Sequence, residues 1–207
     1  MVHGYHVILA AYGSWLPNDP RGSWSEFVGK WELFRFGPTT RSLARRGLAM
    51  LTEAELRERE EARKALNYPP VHFTGLEARA IGRGFAAGCR RSGYTIWACS
   101  ILPEHTHLVI ARHRYKVEQV ANLLKGEATR SMIRENLHPL ARFAGPGERP
   151  PRMWAEHEWK GYLDSEEAIT GAIAYVKENP IREGKPAQHW PFVAAFTGLD
   201  AGWVTYH

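Results

Sequence analysis

Two apolar stretches, Tyr94 to Leu102 and His105 to Ala111, are separated by nothing but Pro103-Glu104. A connection this short joins strands only as an antiparallel pair, because a parallel crossover needs about a dozen residues or more. A sheet therefore forms near the middle of the chain, and the other elements must pack on it. Upstream, Tyr5 to Tyr12 is a β-prone run that stops at Gly13. Thr74 to Arg91 is helical in composition, with Leu76, Ala80, Ile81, Phe85 and Cys89 near one face and a stop at Ser92-Gly93. Downstream, Val117 to Leu137 places Val117, Val120, Ala121, Leu124, Ala128 and Met132 three or four apart, the spacing of an amphipathic helix. Glu158 to Leu163 is a modest strand, and Asp164/Ser165 cap a helix from Glu166 to about Asn179, ended by Pro180.

The order β-α-β-β-α-β predicts an α+β, ferredoxin-like fold: an antiparallel sheet with helices on one face, plus an extra C-terminal helix that carries Tyr175. The 207 residues, 44% apolar and 24% charged, suit a single domain spanning 1–207 and fit neither a disordered chain nor a coiled coil. Residues 25–70 read as a helical insertion, with a charged surface helix from Thr52 to Leu66 opened by a Thr52-x-x-Glu55 capping box. Residues 138–153 are too rich in Pro and Gly for regular structure, and 181–207 read as an irregular tail. No apolar run is long enough to span a bilayer, and the N-terminus lacks the order of a signal peptide, so a soluble cytoplasmic protein is expected, with no membrane partner. Cys89 and Cys99 are the only cysteines, neither a disulfide framework nor a zinc set. The net charge of +5 suits a polyanionic partner without demanding one.

Three features could carry chemistry. On a strand, the alternate residues of His105-Thr106-His107 project to one face, so the two imidazoles either share a metal or form an ordinary hydrogen-bonded pair. On the last helix Tyr175 and Asn179 stand about 40° apart, on the flank of the apolar stripe of Ile169, Ile173 and Val176. That pair is either a reactive tyrosine beside an amide ligand or a boundary tyrosine and a helix end. Taken together, two imidazoles, an amide oxygen and a phenol make a phosphodiester site in which a metal withdraws charge and the phenolate attacks phosphorus. The third feature is Leu124-Lys125-Gly126-Glu127-Ala128-Thr129-Arg130. A glycine within a helix costs about 1 kcal/mol relative to alanine, so Gly126 is either a tolerated helical glycine or a mark of close approach by another backbone or by nucleic acid.

The chain resembles the REP-associated tyrosine transposases, relatives of the single-tyrosine HUH transposases of insertion sequences. The resemblance runs from Tyr12-Gly13-Ser14-Trp15-Leu16-Pro17-x-Asp19-Pro20-Arg21-Gly22-Ser23-Trp24, through Leu102-Pro103-Glu104-His105-Thr106-His107-Leu108 and Leu124-Lys125-Gly126-x-x-Thr129-Arg130, to Trp159-x-Gly161-Tyr162-Leu163-Asp164, Tyr175-x-x-x-Asn179-Pro180 and Gln188-His189-Trp190-Pro191. It implies that His105 and His107 are metal ligands, Asn179 the third ligand and Tyr175 the nucleophile. It also implies Mg²⁺ or Mn²⁺ as cofactor. The implied substrate is single-stranded or hairpin DNA of repeated palindromes, cut through a 5′-phosphotyrosine intermediate by a monomer, with a dimer as the insertion-sequence variant. Thr106 departs from the pattern, which has a bulky hydrophobic residue there; because it points away from the metal face, a difference in packing is expected.

Tyr162, on the fourth strand, is a rival nucleophile. Lys125, Arg130, Arg83 and the aromatic loop with Trp15 and Arg21 are the candidate DNA contacts. A hairpin-binding protein that no longer cuts is the alternative function. An RNA-binding module fits less well, since its stacking aromatics are missing from the central strands.

Overall fold

The computed structural model describes residues 1–14 and 52–199. Strands β1 (Gly4–Ala10), β2 (Ile96–Ile101), β3 (His105–Ala111) and β4 (Trp159–Leu163) form a sheet in the order β2-β3-β1-β4. Every pairing is antiparallel, as the hairpin at Pro103-Glu104 requires. The helices are α1 (Glu53–Lys64), α2 (Gly75–Ser92), α3 (Val117–Arg134) and α4 (Glu166–Arg182). The order and pairing are those of the expected α+β, ferredoxin-like fold.

Local chemistry sets the helix ends. Thr52 and Thr74 each accept a hydrogen bond from the backbone three residues on, while Glu55 and Glu77 reach back to close capping boxes. Gly93, at φ 70°, supplies the left-handed residue that stops α2. Helix α3 ends at Arg134 rather than Leu137, because Asn136 turns to φ 56° and the Leu137 N–H closes on the Met132 carbonyl. The fourth helix passes through Pro180 instead of stopping there. A proline in the last turn removes a single N–H, and the chain closes only when the Glu183 N–H reaches the Asn179 and Pro180 carbonyls.

Odd-numbered residues of β1 and even-numbered residues of β3 point to one face, and the remainder to the other. Val7, Leu9, Leu108 and Ile110 meet Ile81 and Phe85 of α2 and Val120, Leu124 and Met132 of α3 in the larger core. Leu76, placed on this stripe by its spacing, is instead 63% exposed and lies outside the core. On the opposite face Ala98, Val109 and Leu163 pack on Ile169 and Val176, which seats α4 alone.

The connection expected to lack regular structure contains one 3-10 turn, Ala141–Phe143. Its end runs beside β1: Trp154 bridges Ala11, and the Ala155 N–H donates to the Ala10 carbonyl. The tail begins later than 181, after α4. It guards the free edge of β2, where the Gln188 amide both accepts from the Ile101 N–H and donates to the Ile101 carbonyl, and Val193 bridges Ile96. Among the described residues no helix is long and apolar enough to cross a membrane.

Candidate functional site

His105 and His107 are alternate residues of β3, so strand geometry alone aims both imidazoles at the face covered by α4. Their ring centroids are 4.8 Å apart, and both side chains are buried. Across from them, Tyr175, Asn179 and Glu183 follow one another by a single helical turn down the same side of α4. The Tyr175 ring stands edge-on to His107 at 5.6 Å, and a Glu183 carboxylate oxygen lies 3.9 Å from His105 Nε2. Asn179, one turn from each, falls by helical spacing on the same side of α4 as both of them. It is buried, and its amide nitrogen has no hydrogen-bond partner.

That orphaned amide tests whether a cation fits. The two ends of an asparagine amide exchange by rotation, so an unpartnered end beside two imidazoles offers a carbonyl oxygen as readily as an amine. Two imidazole nitrogens and one amide oxygen are a mixed nitrogen and oxygen donor set of the kind that first-row divalent ions accept. Among the described residues no three His, Cys, Asp or Glu side chains are placed to hold a metal, so the amide is needed to complete a set.

Two residues of the site were missed by sequence reasoning. His6, on β1, has its Nε2 3.0 Å from His107 Nδ1, with the two rings stacked at 5.3 Å. Burial pushes the His6 imidazole down from 6.5 to about 4, which keeps it neutral near pH 7. The alternation of β1 was the available signal, once β1 is known to lie beside β3. Glu183 was hidden by the assumption that Pro180 ends the helix. Arg182, also past Pro180, sets its guanidinium 5.6 Å from the Tyr175 ring centroid.

The rival tyrosine lies elsewhere. Tyr162 is paired with Tyr5 in register and in ring contact at 5.8 Å, on the α2/α3 face, with the sheet between it and the imidazoles. Thr106 is likewise turned from the site and is fully buried, its hydroxyl without a partner.

The expected DNA contacts are not gathered at the site. Lys125 is buried: its ammonium donates to the Ala155 and Glu156 carbonyls and lies 3.4 Å from the Glu158 carboxylate. Burial lowers its pKa and Glu158 partly restores it. As placed, this lysine holds the 155–158 segment against α3 rather than presenting charge to a phosphate. Arg130 pairs with Glu127 and Arg83 with Glu135, both on the helices of the opposite face, and each arginine remains about half exposed. Gly126 has nothing nearer a hypothetical Cβ than the Arg130 guanidinium at 3.6 Å, so no other backbone crowds it. It lines, with Asn122, Lys125, Thr129, Arg152 and Trp154, an open cavity of about 500 Å³. Trp15 and Arg21 lie outside the described residues.

The fold and site thus define a class: an antiparallel α+β domain with a His-x-His pair on a central strand and a tyrosine helix laid across it. No family model matches the chain, and no curated protein does. Among solved structures the chain is similar to a REP-associated tyrosine transposase bound to a REP hairpin, at 12% identity and a TM-score of 0.47, over 92% of this chain and 74% of that one. It is also similar to a Deinococcus radiodurans structure described as a transposase, at 13% identity and a TM-score of 0.40, over 90% and 94% of the two chains.

Proposed function

We propose that the protein is a metal-dependent endonuclease and strand transferase for single-stranded or hairpin DNA, acting as a monomer through Tyr175. The observation that carries this reading is the convergence on one buried face of His105 and His107 from β3 with Tyr175 and Asn179 from α4. His105, His107 and Asn179 would hold Mg²⁺ or Mn²⁺, whose charge there would polarise the scissile phosphate.

The chain's own residues supply the rest. Tyr175 Oη attacks phosphorus, forming a phosphotyrosyl bond to the 5′ side while the P–O3′ bond breaks and the 3′ oxygen leaves as a hydroxyl. A second 3′-hydroxyl reverses the step, releasing the tyrosine and rejoining DNA without an external energy source. Arg182 lies beside the Tyr175 ring with its guanidinium paired to Glu178 at 2.6 Å, so it would meet an incoming phosphate only by leaving that carboxylate. Burial of His105, His107 and Asn179 keeps the ligand groups in low dielectric, where their electrostatic effects are stronger than in water.

The test is incubation of the protein with labelled hairpin DNA from its own genome's repeats and Mn²⁺, followed by a denaturing gel. A covalent protein–DNA band that disappears in Tyr175→Phe supports the reading. A band that persists in the variant moves the nucleophile elsewhere. Tight hairpin binding with no adduct or cleavage in either metal would leave a non-cutting hairpin-binding protein.

A further inference from the structure

We propose that His6 is a positioning residue for the metal centre: it accepts the hydrogen bond of His107 Nδ1–H and so reserves His107 Nε2 as the ligand atom. The inference rests on the proposed reading of His105, His107 and Asn179 as a cation site.

A neutral imidazole has one N–H and one lone pair, and a cation takes the lone pair. With His6 Nε2 and His107 Nδ1 3.0 Å apart, one proton serves both atoms. If His107 donates, its Nε2 carries the lone pair that a cation takes. If His6 donates, the remaining proton of a neutral His107 sits on Nε2 and the ligand is lost. His6 belongs to no metal-holding group of three His, Cys, Asp or Glu side chains among the described residues. Its Nε2 is turned to His107 instead, the relation by which an outer partner fixes the tautomer and orientation of a ligating histidine.

The fold holds His6 in that pose. In the β1/β3 register His6 faces Val109 and Ile8 faces His107, so the two histidines are diagonal neighbours on one face, within side-chain reach. On its other flank His6 faces Gly161 of β4. A Cβ at Gly161 would come 3.0 Å from the Trp159 ring, so the glycine lets the indole fold inward over it. Trp159 then meets His6 edge-on at 5.3 Å, and Tyr175 meets it at 5.7 Å from α4. With His107 stacked beside it, His6 is boxed by three rings, one of them the proposed nucleophile's.

Two measurements test this, and the first needs neither metal nor variant. Nitrogen-15 imidazole spectra of the metal-free wild-type protein are expected to show His107 protonated on Nδ1; protonation on Nε2 overturns the inference. The second is calorimetric titration with Mn²⁺ of wild type, His6→Phe and His6→Gln. His6→Phe, which has no acceptor, is expected to bind about ten- to a hundred-fold more weakly, and His6→Gln, whose carbonyl can accept, to recover most of the loss. Wild-type protein that takes up Mn²⁺ while His6→Phe binds it equally well overturns the inference alone. Wild-type protein that takes up none overturns the metal reading beneath it. Should His6→Phe fail to fold, the wild-type spectrum still decides.

Discussion

Gly84 and Ala128 bring α2 and α3 together backbone to backbone: a Cβ on Gly84 would lie 2.5 Å from Ala128 Cα and 2.6 Å from its nitrogen. No rotamer relieves a clash with main chain. Gly84→Ala is therefore expected to destabilise the fold by about 3 kcal/mol, read from urea unfolding.

Gly126→Ala should behave oppositely. Its Cβ meets only the Arg130 guanidinium, at an ordinary contact distance of 3.6 Å, so the helix gains about 1 kcal/mol of propensity. Measured beside hairpin affinity, this variant separates two meanings of the glycine: affinity unchanged marks a tolerated residue, whereas a more stable protein that binds DNA more weakly shows nucleic acid approaching there.

Lys125 and Glu158 form a buried pair, with side chains 8% and 9% exposed. Lys125→Met leaves the carboxylate without its cation and the Ala155 and Glu156 carbonyls without their donor. A loss of about 3 kcal/mol in stability is expected. The salt dependence of hairpin binding should stay as in the parent. A salt slope reduced by about one unit would instead show that this lysine leaves its pocket to contact a phosphate.

His138 accepts a hydrogen bond from the Leu140 N–H on Nδ1, and burial lowers its pKa below 6.5. The folded state therefore favours the neutral ring. Its contribution is complete above pH 6.5 and is lost as the pH falls toward the folded pKa, because the unfolded chain binds the proton first. In His138→Leu the stability gap from the parent should narrow between pH 7.5 and 5.5, measured by denaturant midpoints. A gap that stays constant would contradict this. His6, shifted down to about 4 by burial, acts in the same direction in both proteins.

Thr106 buries a hydroxyl that finds no partner, on the core face between Leu9 and Ile101 in register. Thr106→Val keeps the shape and removes the desolvation cost, so a gain of about 1 kcal/mol is expected. Adduct formation should be unaffected, since residue 106 faces away from His105 and His107.

Much of this architecture was legible because each element carries its own signal. The Pro103-Glu104 connection fixes the hairpin, alternation puts His105 and His107 together, and the Thr52 box opens α1. Relations between elements were harder to read. Nothing local marks His6 as a partner of His107, since that depends on β1 lying between β3 and β4. Lys125 looked like a phosphate contact from its charge, yet the 155–158 segment, distant in sequence, closes over it. Pro180 was read by its usual effect in mid-helix, whereas in a last turn it costs one N–H and lets Glu183 reach His105.

The sheet works as a bulkhead. The packing that sets most of the stability lies on one side, with α2 and α3, while the imidazoles and Tyr175 lie on the other with α4. Substitutions on opposite sides share no partners and should combine additively. A hardier version of this protein can then be engineered entirely from the α2/α3 side, leaving reactivity where it was.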